Sequence, residues 1–292
     1  MYPSTPYLET KICMVTGATS GIGEETARQL AFRGARVIIV GRNVEKVETV
    51  VHKIKLETGN PLVDPMIADL SSQRDIRRLA CEFKDSYARL DVLINNVGSI
   101  FLTRRQSIDD IEMTFALNHL SYFLLTMLLL DVLKSTSLAR VINVSSSAHQ
   151  DSVLDFDNLQ SDRSYILGVG AYRRSKLANL LFTYELARRL ECTGVTVNAL
   201  HPGLVATNLL AKNGVLGYLL TFLLRVAGVT PKQGAGTSVY LAGSPDVEGI
   251  TGHYYIDCQE AISSKVSYDR DVAARLWKIS MELTGLSGAD VP

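Results

Sequence analysis

From Lys11 onward the chain alternates short runs of β-branched and aliphatic residues with longer amphipathic stretches, a pattern that predicts a parallel sheet covered by helices. The runs "KICMVT", "ARVIIV", "PMIAD", "DVLINN", "RVINVS", "VTVNAL" and "GHYYID" predict seven strands. Their apolar continuity suits strands buried on both faces, and the intervening segments have helical length and spacing. The expected fold is α/β, a doubly wound parallel sheet with helices on both faces. No internal repeat, low-complexity tract or Pro/Gly-rich linker interrupts it, so residues 1–292 are read as one domain.

Two segments depart from this rhythm by being unusually apolar. "ALNHLSYFLLTMLLLDVL", 116–133, approaches membrane-spanning length, yet Asn118, His119, Ser121 and Asp131 lie within it. It predicts a long helix that is buried or faces another subunit. "GVLGYLLTFLLRVAGV", 214–229, is too short to span and carries an arginine. Thirty Lys plus Arg balance thirty Asp plus Glu, so no global field attracts nucleic acid. Four dispersed cysteines lack a C-x-x-C pair and suit a reducing cytosol, and no metal site is assigned. The start "MYPSTPYLETK" shows neither a signal peptide nor an anchor, so a cytoplasmic protein is expected.

The polar chemistry clusters at predicted strand ends, where α/β proteins bind ligands. "TGATSGIG" follows the first strand and opens a helix, placing Gly17, Gly21 and Gly23 where a backbone must turn sharply and approach a pyrophosphate. The second strand ends "VIIVGRN". Gly41 stands where an acidic residue would bond the ribose of NAD, and Arg42 offers a planar fork suited to a 2′-phosphate, so NADP is preferred. Asp69, in "ADLSS", could equally cap the helix starting near Ser72. "NVSSSAH" leaves hydroxyls at the end of the fifth strand. Tyr172 and Lys176, in "AYRRSKLAN", share a helix face at a spacing that lets an ammonium act on a phenol.

In their shared order these motifs resemble the short-chain dehydrogenases/reductases, whose fold is of the Rossmann type. "NVSSSAH", "SKLANLLFTYELARRL", "VNALHPGLVATNL", "GHYYIDC" and "AARLWKISMELTGL" resemble the retinol dehydrogenase-like branch in particular. The resemblance implies a catalytic set of Asn118, Ser146, Tyr172 and Lys176, with Ser145 and Ser147 as register alternatives for the serine. It implies a cofactor site built from Gly17, Thr19, Ser20, Gly21, Ile22, Gly23, Arg42, Asn43, Asp69, Leu70, Asn95, Asn96, Val97, Gly98, Tyr172, Lys176, Pro202, Gly203, Val205 and Thr207. Val97 replaces the family's usual alanine. The cofactor is NADP(H), with NAD(H) as the alternative.

The same resemblance implies an apolar alcohol or carbonyl substrate of the retinoid or lipid-aldehyde kind. Runner-up readings are a steroid or protochlorophyllide-like reductase, or an NADP-binding sensor without turnover. The resemblance also implies an apolar substrate lid over about 204–230, whose 214–229 stretch could touch a membrane peripherally. A C-terminal helical tail is expected over about 268–285, and a homodimer or homotetramer pairing helices near 108–133 and 170–192. Tyr172 would exchange a proton with the substrate oxygen, its phenolate favoured by the Lys176 charge. Ser146 would bond that oxygen.

Overall fold

The computed structural model describes residues 8–203 and 230–287. Strands β1 (Ile12–Thr16), β2 (Arg36–Gly41), β3 (Val63–Ile67), β4 (Val92–Asn95), β5 (Arg140–Val144), β6 (Thr196–His201) and β7 (Tyr254–Ile256) pair in parallel. A two-residue β8 (Gln259–Glu260) adds an antiparallel edge, making an 8-stranded sheet in the order β3-β2-β1-β4-β5-β6-β7-β8. The sequence predicts seven, because a two-residue edge strand has no periodicity to read. The order reverses beside β1, which creates the crevice between β1 and β4 at the strand carboxyl ends.

Alternate residues of each strand feed different cores, as the pleat requires. Met14, Ile38 and Leu93 face one side, with α3 (Gln73–Ser86), α5 (Ser121–Leu128) and α7 (Val169–Arg189) packed over them. Cys13, Val15, Val37 and Ile39 face the other, beneath α1 (Gly21–Phe32), α2 (Val44–Thr58) and α8 (Pro231–Gly243). The third strand begins two residues earlier than its apolar run suggests. Pro65 pairs opposite Ile39 there, tolerated because β3 is an edge strand and needs no donor on its outer side.

The long helix expected over 116–133 is broken. Residues Met113–Phe115 form α4, Ala116–Leu120 make a π-helical turn, α5 follows, and α6 (Leu130–Ser135) starts after a change of direction at Leu129. Its residues are buried from Ala116 to Met127 within this one chain. The last helix, α9 (Arg270–Thr284), is capped by Asp269 and lies along α7. Trp277 packs edge-on to Phe123 at 5.1 Å, and the Arg189 guanidinium stacks on its ring at 4.3 Å. As a result α7 is buried on all sides from Ser175 to Ala187. That stretch presents no free face for the subunit pairing expected through 170–192. Among the described residues, no helix is long and apolar enough to cross a membrane.

Candidate active site

The site starts where β1 ends. Thr16 Oγ1 donates to Ile94 O at 3.2 Å and accepts the N–H groups of Asn96 and Val97 at 2.8 and 3.2 Å, which pins β1 to the loop leaving β4. The chain then turns through Gly17, whose φ of 65° is costly for other residues. A Cβ on Gly17 would lie 2.9 Å from Val97 Cα; one on Gly23 would lie 2.5 Å from both Asn96 Nδ2 and Gly17 O. The cradle at the α1 N-terminus therefore exists only with glycine at both positions. Val97, bulkier than the family's alanine, sits over Gly17, and its carbonyl is held by the Tyr122 hydroxyl at 2.8 Å.

One cleft opens at the carboxyl ends of β1, β2, β3, β4, β5 and β6. Of the expected residues, Gly17, Thr19, Ser20, Ile22, Gly23, Arg42, Asp69, Leu70, Asn96, Val97, Gly98, Ser146, Tyr172, Lys176, Pro202 and Gly203 line it. Gly21, Asn43 and Asn95 are not on its wall. Asn43 is the N-cap of α2, accepting from Lys46 N–H at 2.9 Å. Asn95 is wholly buried beneath the cleft, donating to Thr126 Oγ1 and Asn143 Oδ1. Asp69 does not cap α3: that cap is Ser72, while Asp69 accepts from both the N–H and the hydroxyl of Ser71. Val205, Thr207 and the 214–229 segment lie outside the described residues.

The opposite wall carries the ionisable groups. Tyr172 and Lys176 stand one turn apart on α7, with the Lys176 Nζ 5.7 Å from the Tyr172 ring centre. Lys176 is buried, and its ammonium donates to Val144 O at 2.9 Å. Ser145, also buried, spends its hydroxyl on Lys176 O at 2.8 Å, and Ser147 is exposed, so of the three serines it is Ser146 that faces Tyr172. Burial raises the Tyr172 phenol above its ordinary value, and Ser146 pulls it part of the way back. Burial also lowers Lys176 to about 7. Within the chain's own residues, desolvation thus outweighs the charge effect the sequence suggests.

Asn118 sits in the π turn, next to the cleft rather than on its wall. Its amide donates to Ser99 O at 3.0 Å and Ser175 Oγ at 3.1 Å, while its Oδ1 accepts the Ser99 N–H at 2.9 Å. Ser175 in turn donates to Tyr172 O at 2.7 Å, linking the π turn to α7. Sequence reasoning missed Thr16, Tyr122, Ser175, His149 and His201. Thr16 alone left a signal, as the last residue before the glycine turn.

The family model for short chain dehydrogenase matches residues 11–214. Retinol dehydrogenase 11 of Homo sapiens is 43% identical over 286 residues, covering 97% of this chain and 88% of its own. Polyprenol dehydrogenase of Homo sapiens is 42% identical over 299 residues, with coverage of 97% and 88%. Among solved structures, an uncharacterized protein from Mycobacterium paratuberculosis superposes with a TM-score of 0.76 at 32% identity, covering 96% and 95% of the two chains. The Pseudomonas aeruginosa RhlG/NADP active-site complex has a TM-score of 0.69 at 26% identity, with coverage of 91% and 100%. The chain belongs to the short-chain dehydrogenases/reductases, in their retinol dehydrogenase-like branch. It is an oxidoreductase acting on alcohol and carbonyl groups with a nicotinamide cofactor.

Proposed function

We propose that this enzyme uses NADP(H) to interconvert an apolar alcohol with its aldehyde or ketone, of the retinoid or lipid-aldehyde kind. The observation that carries the reading is the meeting of Ser146, Tyr172 and Lys176 with the glycine cradle in one cleft. Gly41 supports NADP(H): a Cβ there would lie 2.6 Å from Thr19 Cγ2 and 2.8 Å from Val47 Cγ2, leaving no room for an acidic side chain. Arg42 stands exposed on the cleft rim, free to pair with a phosphate. RhlG, a structural neighbour, is an NADP complex.

When bound, the nicotinamide supplies or accepts the hydride. Tyr172 gives its phenolic proton to the carbonyl oxygen, or takes it from the hydroxyl in the other direction. Ser146 donates a hydrogen bond to that oxygen and stabilises its developing charge. Lys176 places its amine behind the phenol, and Asn118 holds the loop after β4. The apolar substrate class rests on the relatives, a retinol and a polyprenol dehydrogenase. Exposed Ile166, Leu167 and Val169, just ahead of Tyr172 in the chain, agree with it.

An NADPH oxidation screen across retinal, straight-chain aldehydes, steroids and quinones tests the reading. Highest efficiency with retinal or long-chain aldehydes is expected; a steroid or quinone preference would replace it with the runner-up. The cytoplasmic placement, the homo-oligomer and the peripheral membrane contact through 214–229 remain part of the proposal. Liposome pelleting and light scattering address the last two.

A further inference from the structure

The peptide unit that follows Ser146 is gripped from both sides by imidazoles. Its carbonyl oxygen lies 2.6 Å from His149 Nδ1, and its N–H, on Ser147, is donated to His201 Nδ1 at 3.2 Å. His149 reaches further, because its Nε2 accepts the N–H of Ser264 at 3.1 Å, from the segment that precedes α9. An acceptor role at Nε2 and a carbonyl facing Nδ1 together fix the ring as neutral, with its proton on Nδ1. His201 must likewise keep Nδ1 bare. Burial lowers the pKa of both rings, so both stay neutral in these roles at physiological pH. His149 is completely buried and edge-on to Tyr254, with ring centres 5.2 Å apart.

We propose, on the assignment of Ser146 to the substrate oxygen, that His149 and His201 are positioning residues that lock the Ser146–Ser147 peptide and so aim the Ser146 hydroxyl. Ser146 is extended, with φ −166° and ψ 153°, and rotation about ψ is the freedom that the two imidazoles remove. The Ser146 oxygen also accepts the Ala148 N–H at 3.2 Å, which orients the hydroxyl from a third direction. None of these groups touches the reacting atoms. They act through one side chain, and a misplacement of about 1 Å at such a group costs about 100-fold in rate. Through Ser264, the grip also ties the catalytic serine to the C-terminal part of the chain.

Three substitutions at one position separate the two bonds of His149. His149→Asn keeps a donor near Nδ1, His149→Gln keeps an acceptor near Nε2, and His149→Leu keeps neither. Each is measured for kcat, NADPH affinity and thermal unfolding. His149→Leu and His149→Gln should each lose about 10- to 100-fold in kcat with NADPH affinity unchanged, and His149→Asn should recover most of that loss. In a Ser146→Ala background, His149→Leu should have no further effect on kcat, because it acts through the missing hydroxyl. His201→Leu against His201→Asn repeats the comparison if His149→Leu does not fold. A folded His149→Leu enzyme with wild-type kcat would overturn the proposal, as would an equal loss in the Ser146→Ala background. A Ser146→Ala enzyme with unchanged kcat would overturn the serine assignment, and the grip with it.

Discussion

The two walls of the cleft are built by different physics. Around the glycine turn, Thr16, Gly17, Gly23 and Asn96 carry no ionisable group, and that part of the wall is made of close backbone approach and neutral hydrogen bonds, with Arg42 and Asp69 lining the cleft farther along. On the opposite wall, Tyr172 and Lys176 are ionisable and burial moves both away from their ordinary pKa values. The glycine turn works by fit and the Tyr172–Lys176 pair by charge. The difference teaches that damage to each should be read in a different quantity: affinity for the first, turnover for the second.

The largest effect is expected at Tyr172. Tyr172→Phe removes the transferable proton and should lower kcat by about 1,000-fold or more, with NADPH affinity within a few-fold of wild type, as steady-state kinetics and a binding titration would show. Gly23→Val strikes the other wall. Its Cβ would fall 2.5 Å from Asn96 Nδ2 and Gly17 O, and NADPH affinity should drop about 100-fold, read by fluorescence titration. Arg42→Asp sharpens the comparison, because it reverses a charge on the cleft rim beyond the glycine turn. It should cost about 1.5 to 3 kcal/mol of NADPH binding and little NADH binding; an unmodified enzyme that prefers NADH would show that another contact governs the choice.

The smallest effect separates charge from fold stability. Lys176 falls from 10.5 unfolded to about 7 folded, so the unfolded chain holds the proton more tightly and the penalty is full below about 7. Wild-type stability should therefore rise with pH between about 7 and 10.5. Lys176→Met should flatten that rise and, at pH 7, stabilise the inactive protein by roughly 1 to 2 kcal/mol, since the buried amine keeps one carbonyl partner. Thermal melts across the range read both.

The sheet was legible because its strands are buried on both faces and their apolar runs are long, as in Val37–Val40 and Val92–Ile94. Legibility failed where a single side chain or a single edge decides. The π turn depends on Asn118 reaching Ser99 and Ser175, contacts of long range that periodicity cannot carry. Asn95 and Asn96 are neighbours in the chain, yet the pleat sends one into the core and the other to the cleft. The run "SSS" leaves the serine register open, because the bond from Ser145 to Lys176 O that sets this serine apart joins segments distant in the chain. His149 and His201 carry no signal in the sequence, because their shared target, one peptide unit, is visible only once β5 and β6 lie side by side.

The central claim is that the glycine turn serves cofactor affinity by fit and Tyr172 serves turnover by proton transfer, within one cleft. It is tested most directly by measuring kcat and NADPH affinity together for Tyr172→Phe and Gly23→Val with a long-chain aldehyde. The account predicts a crossed result: turnover lost with affinity kept for Tyr172→Phe, and affinity lost for Gly23→Val with much of the rate regained at saturating NADPH. A Tyr172→Phe enzyme retaining more than about a tenth of its rate, or a pair of variants losing both quantities alike, would contradict it.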